Sequence, residues 1–326
     1  MSCDEPWPSE WLRGVLRVCA CGPGGWAEPN LPGGAARQRG ENVGSLLVTK
    51  ESLVADLRNL GVREGMVLLV HASLSTIGWV TGGEQSLLEA LSEAVGKTGT
   101  LVMPTQSSQL CDPAYLNEAQ VPRAWWPQVR QSLPAFDAAR TPTRTMGALA
   151  ELFRSQPDTL RSSHPHRSFA ASGPDARRVV RTHDLDSPVG ERSPLKSMVE
   201  LEGWVLLLGV GHKKSTTLHL AEHRCDYPGK HSVRNAAPVT VDGTRTWAEW
   251  VELWVADDDF EQVGAAFAES SDLVRSAHVG QAPGQLMPQR ELVEFASSWF
   301  PAHRDAARFA HDTTAWGAES VARAES

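Results

Sequence analysis

Val205-Leu-Leu-Leu208 is a short, wholly apolar run, followed at once by Gly209 and Gly211, by Ser215, Thr216 and Thr217, and by a helix-prone segment from Leu218. An uninterrupted apolar run of this length is the pattern of a strand buried on both faces. The glycines end it, and the hydroxyls offer caps for a helix N-terminus. The chain is thereby committed to a strand, a loop and a helix, with His219 in the helix's first turn at the carboxyl edge of a sheet. Ligands bind at that edge in open α/β sheets. There the helix dipole favours a neutral imidazole, able to accept a proton.

The same stretch supports a competing reading. His219-Leu-Ala-Glu222-His223 fits H-x-x-E-H, the inverted zinc-peptidase signature, with Glu291 or Glu294 on a later helix as a third ligand. From the pentapeptide alone, zinc ligands, a catalytic base and a polar helix face all stay open.

Composition narrows the class. The 326-residue chain is 41% hydrophobic and 21% charged, as soluble globular proteins are, with a formal net charge of −8. That charge argues against nucleic acid and is compatible with a cationic small molecule. There is no apolar run of membrane-spanning length, and the first residues make a poor signal peptide, so no membrane is expected and the cytoplasm is the default location. Cys3, Cys19, Cys21, Cys111 and Cys225 are an odd, scattered set and form no disulfide framework.

Residues 1–44 are rich in Gly, Pro and Trp without periodicity and read as a disordered extension, in which Cys19-Ala-Cys21 is a weak metal signal. Residues 45–301 read as one domain and 302–326 as a frayed tail. Thr49 caps a helix stopped by Gly61, and Met66 to Val70 is a strand ending at His71-Ala-Ser73-Leu-Ser75. Thr81-Gly82-Gly83 then opens a helix carrying Leu87, Leu88, Leu91, Ala94 and Val95. Glycines there let backbone N–H groups approach an anion, although an ordinary tight turn reads the same way. Leu101 to Met103 is a third strand, closed by Pro104 and followed by Thr105. Three strands thus deliver hydroxyls and imidazoles to one edge. Residues 108–145 read as an excursion over that edge, Gly147 to Arg154 as a short helix, and His164 before Pro165 as an extended ligand contact or a turn. Helices are also expected from Ser193-Pro-Leu195 and over Gln289–Phe300. Val239–Val241 and Thr246–Leu253 flank Asp242-Gly243, a hairpin signal.

Together VHASLSTIGWVTGG, GTLVMPTQSS, TPTRTMG, RSSHPHRSFAASG, SPL, VLLLGVGHKKSTTLHLAEHR and VGQAPGQLMPQRELVEFA resemble, in order, the motifs of the aminoglycoside 3-N-acetyltransferase (antibiotic N-acetyltransferase) family. They span about residues 46–300, and HLAEH then matches the family's T-x-H-x-A-E element in place of a zinc helix. The resemblance implies an α/β fold with a mixed central sheet flanked by helices, distinct from the GNAT fold. It implies acetyl-CoA as cosubstrate, no metal, and the 3-amino group of the 2-deoxystreptamine ring of an aminoglycoside as acceptor, with antibiotic resistance as the outcome. It is compatible with a homodimer. A same-fold enzyme acting on another amine is the alternative.

The family's catalytic His falls on His219, and its orienting carboxylate, counted from Trp247, on Glu252. Where relatives carry a second acid two residues on, this chain has Trp254, so the resemblance does not fix the acceptor. Asp257, Asp258 or Asp259 could be the carboxylate instead if the hairpin arm is bulged, although that cluster also reads as a helix cap. A neutral amine must attack the thioester, so His219 suits a general base, its partner carboxylate fixes the tautomer, and Thr216 and Thr217 are candidate oxyanion donors. Resemblance and loop pattern assign Ser73, Ser75, Thr81, Gly82 and Gly83 to coenzyme A, with Thr105, His164 and Thr216 lining the same cleft. Glu222, Asp226 and Glu252 would face a polyamine. Cys225 lacks a partner base, which favours direct transfer over an acetyl-cysteine.

Overall fold

Three apolar runs form parallel strands at the centre of the molecule. The computed structural model describes residues 47–116 and 121–305 and the backbone of 321–322; the expectation of disorder over 1–44 lies outside the described residues. In chain order the elements are α1 (Lys50–Leu60), β1 (Val67–Ala72), α2 (Leu74–Ile77), α3 (Gly83–Val95), β2 (Thr100–Pro104), α4 (Trp126–Ser132), α5 (Gly147–Arg154), β3 (Leu160–Arg161), β4 (Phe169–Ser172), α6 (Ala176–Val180), α7 (Pro194–Glu200), β5 (Trp204–Leu208), α8 (Thr217–Arg224), β6 (Ser232–Val241), β7 (Thr244–Leu253), α9 (Phe260–Ser270), β8 (Arg275–Val279), β9 (Ala282–Pro288), α10 (Gln289–His303) and β10 (Val321–Ala322).

The main sheet has the order β3-β4-β2-β1-β5-β9-β8. β1 runs parallel to both β2 and β5, while β4 and β9 flank them antiparallel. The sheet is mixed, as expected. Side chains alternate between two cores: Leu68, Val70, Leu206 and Leu208 pack beneath α1, α3 and α5, and Val67, Leu69, Val205 and Leu207 pack against α6 to α10. Both faces are covered, which is why these strands read as continuous apolar runs. The chain leaves β1 toward β2 on one side, and β5 enters on the other. The carboxyl ends of these strands therefore open a crevice at the point where the winding reverses.

β6 and β7 form a hairpin in a separate sheet with β10. Val241 pairs with Thr244, and Asp242 (φ 48°) and Gly243 (φ 77°) make the two-residue turn. Positive φ at both positions is what the Asp-Gly pair supplies. The first arm begins at Ser232, well before the expected Val239.

β3, β4, β8 and β9 were not expected. β8 alternates half-buried and exposed residues at the sheet edge, and β9 contains Pro283, Gly284 and Pro288, so neither presents an apolar run. The boundary expected at residue 301 is also passed. α10 continues through Pro301 to His303, and Arg304, within the stretch read as a frayed tail, is only 4% exposed. Among the described residues, no helix is long and apolar enough to cross a membrane.

Candidate active site

The crevice is a cleft of about 720 Å³. His71, Ser73 and Ser75 enter it from the end of β1, Met103, Pro104 and Gln106 from β2, and Lys213, Lys214, Thr216 and His219 from the segment after β5. Thr145 to Ala150 make the facing wall, and Arg167 and Asp257 complete it. Thr145 has φ 61°, an uncommon conformation for a β-branched residue and costly unless its surroundings enforce it.

His219 sits in the first turn of α8, with Phe260 packed against its ring at 4.9 Å. Its Nδ1 is 2.6 Å from Glu222 Oε2, three residues on along the same helix face. An ionised carboxylate can only accept, so Nδ1 carries a hydrogen, and in the neutral ring that tautomer leaves the lone pair on Nε2. Glu222 is fully buried, and its other oxygen accepts from Arg304 Nη1 at 2.6 Å and the Ala256 N–H at 3.0 Å. Arg304 also donates to both oxygens of buried Asp259, at 2.9 and 2.8 Å. Its guanidinium lies 3.8 Å from the Phe300 ring centroid and 4.5 Å from that of Tyr227. Burial lowers its proton affinity, but the two carboxylates outweigh that and hold it charged.

Thr216 Oγ1 is 3.4 Å from His71 Nε2. Burial, and then the neighbouring His219, push His71 down to about 3, so it is a neutral imidazole at the cleft floor. Ser73 and Ser75 place their hydroxyls 3.2 Å apart. Arg167 donates to the Tyr115 hydroxyl at 3.0 Å.

Several expected site residues lie elsewhere. Glu252 does not meet His219: Trp250 Nε1 and Asn235 Nδ2 donate to it at 2.6 and 3.2 Å inside the hairpin, and burial pushes its carboxyl up. Of the competing acids, Asp257 and Asp258 lie 3.8 and 3.9 Å from Lys213 Nζ, and Asp259 is bound by Arg304. The carboxylate on His219 is that of Glu222, whose burial and pairing also remove it from any acceptor contact. Asp226 is exposed and does not line the cleft.

Thr217 is fully buried and turned from the cleft lining, so Thr216 is the hydroxyl available there. Thr81, Gly82 and Gly83 do not line the cleft either. The Thr81 N–H donates to Val48 O, across a bridge to the segment before α1, and the Gly83 N–H to Val80 O within the tight turn, so both donors are engaged. Thr105 is buried, with its carbonyl accepting from Arg161 and Ser168. His164 is buried and positions the loop from within: Nδ1 accepts from the N–H groups of His166 and Arg167 at 3.1 and 3.0 Å. It thereby holds Arg167 at the cleft. His223 packs on Gly190, where an added Cβ would lie 2.5 Å from its Nδ1, and Glu222 stands between His219 and a guanidinium. Among the described residues, no three His, Cys, Asp or Glu side chains are grouped to hold a metal ion.

Sequence reasoning missed Lys213, Lys214, Arg167 and Arg304. Lys213 and Lys214 lie in the short loop that follows the buried strand ending at Leu208, which was a usable signal. Arg304 had none, being a polar residue just beyond the end of a helix that contains Pro301.

A family model described as aminoglycoside 3-N-acetyltransferase matches residues 69–301. The SPbeta prophage-derived aminoglycoside N(3')-acetyltransferase-like protein YokD of Bacillus subtilis (strain 168) is 43% identical over 253 residues, 77% of this chain and 92% of that protein. Its crystal structure matches with a TM-score of 0.76 and 41% identity, over 79% of this chain and 95% of that one. Aminoglycoside N(3)-acetyltransferase VIII of Streptomyces fradiae is 35% identical over 268 residues, 77% of this chain and 91% of that protein. The structure of AAC-IIIb in binary complex with CoASH matches with a TM-score of 0.70 and 32% identity, over 78% and 96% of the two chains.

Proposed function

This chain belongs to the aminoglycoside 3-N-acetyltransferase family, and on that premise we propose that it passes the acetyl group of acetyl-CoA directly to an aminoglycoside amine, with His219 as general base. The observation that carries the reading is His219 on the cleft wall, its Nδ1 bonded to a buried carboxylate and its Nε2 left with a lone pair.

In this reading the amine nitrogen attacks the thioester carbonyl carbon as Nε2 takes its proton. Glu222 fixes the tautomer and offsets the imidazolium charge. The oxyanion forms beside the Thr216 hydroxyl, which His71 orients. Collapse breaks the C–S bond, and His219 returns the proton to the departing thiolate. Ser73, Ser75 and Gln106 line the donor's path, and Lys214 supplies positive charge for its phosphates. Cys225 supports direct transfer: its Sγ is 3.2 Å from Ala221 O, and burial pushes the thiol up.

One observation favours a second reading, the same transfer to a less cationic amine. Among the described residues that line the cleft, Asp257 is the one carboxylate, against Arg167, Lys213 and Lys214. Thiol release from acetyl-CoA across aminoglycosides and simple diamines separates the two acceptors.

The base is tested by His219→Ala. Losing a general base costs about 10²–10⁴ in rate, so turnover should fall by that factor while calorimetric affinity for acetyl-CoA stays within a few-fold. Near-normal turnover would remove His219 from the mechanism.

A further inference from the structure

Behind His219 lies a buried group of three charges drawn from three elements: Glu222 of α8, Asp259 before α9, and Arg304 after α10. Arg304 is not among the described residues that line the cleft, and it reaches His219 through Glu222. We propose that Arg304 and Asp259 are positioning residues that set the charge behind Glu222, and so fix the pH above which His219 can serve as a base. The inference rests on the reading of His219 given above.

Among the described residues, two carboxylates and one guanidinium give this group one net negative charge while His219 is neutral. The charge is cancelled when the imidazole takes a proton, so the group offsets the imidazolium charge that forms during attack. The balance is narrow. Without Arg304 the imidazole would face two uncompensated carboxylates and hold its proton at rest, when it should be accepting one. Without the charge on Asp259, Arg304 would cancel Glu222 and make the imidazole a poorer proton acceptor.

Geometry makes this control strong. Arg304 and Glu222 are both fully buried, and Phe300, Tyr227 and Phe260 wall the group off, so solvent does not screen it. The other titratable groups facing His219 are differently placed. His71 and His223 are held neutral by burial. Lys213, Lys214, Asp257 and Arg167 line the open cleft, where water and salt weaken their influence.

The full chain is compared in four forms: wild type, Asp259→Asn, Arg304→Met and the double variant. Two quantities are followed against pH: thiol release with the acceptor identified by the panel, and the His219 ring C–H resonance by NMR. A charge gained or lost beside an ionising group moves its midpoint by about one to three pH units. Asp259→Asn should move the acid limb and the resonance midpoint to lower pH, and Arg304→Met to higher pH. The double variant, which restores one net negative charge, should return both toward wild type. Arg304→Lys keeps the charge and should keep the wild-type midpoint with a lower rate.

A role in packing alone would lower rate or stability without this alternation of sign. Equal midpoints in all forms, or shifts of one sign in both single variants, would overturn the proposal. If Arg304→Met does not fold, Asp259→Asn and the double variant still decide: a lowered midpoint restored by the second change supports the proposal, and unchanged midpoints refute it. Resonance midpoints that move while the rate profile does not would uphold the charge effect and refute His219 as the base. Loss of activity in His219→Ala alongside unmoved midpoints would refute only the charge effect.

Discussion

Glu222 and Glu252 are both buried acids, and only their partners tell them apart. Glu222 holds the imidazole of His219 on one oxygen and a guanidinium on the other. Glu252 is held by an indole N–H and an amide inside the hairpin. Glu222→Gln should therefore cut the rate by about 10²–10⁴ and move the acid limb of the pH–rate profile to lower pH, because the imidazolium loses its anion. Glu252→Gln should leave that limb in place. It disturbs the hydrogen bonds that this buried carboxyl accepts from Trp250 and Asn235, worth about 0.5–1.5 kcal/mol each, and should appear as a lower urea midpoint. A pH profile that moves with Glu252 and not with Glu222 would return the partner's role to the hairpin. Counting from Trp247 misassigned this residue because spacing along a strand does not say what its inward face meets. The i, i+3 relation of His219 and Glu222 was visible in the sequence, but the metal motif and the acceptor role competed for Glu222.

At the scale of elements, the strands that deliver the site were legible and the segments that wall it were not. The ends of β1, β2 and β5 could be read because buried parallel strands carry unbroken apolar runs. The wall from Thr145 to Ala150 depends on contacts far apart in sequence. Arg161 shows how it is held: Nε donates to Ser168 Oγ at 3.0 Å, Nη2 to Thr105 O at 2.6 Å and Nη1 to Thr141 O, over the Phe136 ring. Arg144 N in turn donates to Gln106 O at 2.8 Å, tying the wall to the end of β2. Arg161→Met takes this donor from the Thr141 carbonyl, at about 1–3 kcal/mol, while Thr105 O keeps the Ser168 hydroxyl. We expect a reduced urea midpoint and a raised KM for acetyl-CoA, with kcat within a few-fold. An unchanged KM would mean that the wall is set without this staple.

For the whole molecule, buried histidine decides acid stability. Burial pushes His71 and His166 down to about 3 and His183 and His223 to about 4, and holds His164 well below its ordinary range. All five are neutral when folded and take up protons below about pH 6.5 once unfolded. Their stabilisation is thus complete above that pH and is lost as pH falls toward 4. Each contributes a slope of up to about 1.4 kcal/mol per pH unit, so five together remove about 7 kcal/mol per unit. Against a net stability of about 5–15 kcal/mol, unfolding should be centred near pH 5, above the range in which ordinary carboxylates titrate. Intrinsic tryptophan fluorescence against pH reads this directly, and a chain that stays native at pH 4 would refute it. The sequence gives only the number of histidines, whereas their burial is a property of the assembled sheet and helices.

Arg304 adds a consequence in time. On the ribosome the strands, the glycines and His219 all emerge before the residue that steadies Glu222, and N-terminal segments begin to fold while the rest is still being made. A nascent chain carrying every motif of the cleft would present an imidazole without its charge balance. Competence would arrive late and abruptly, when α10 docks, so a stop codon just short of that residue would yield a protein with all the recognisable signatures and little of the chemistry.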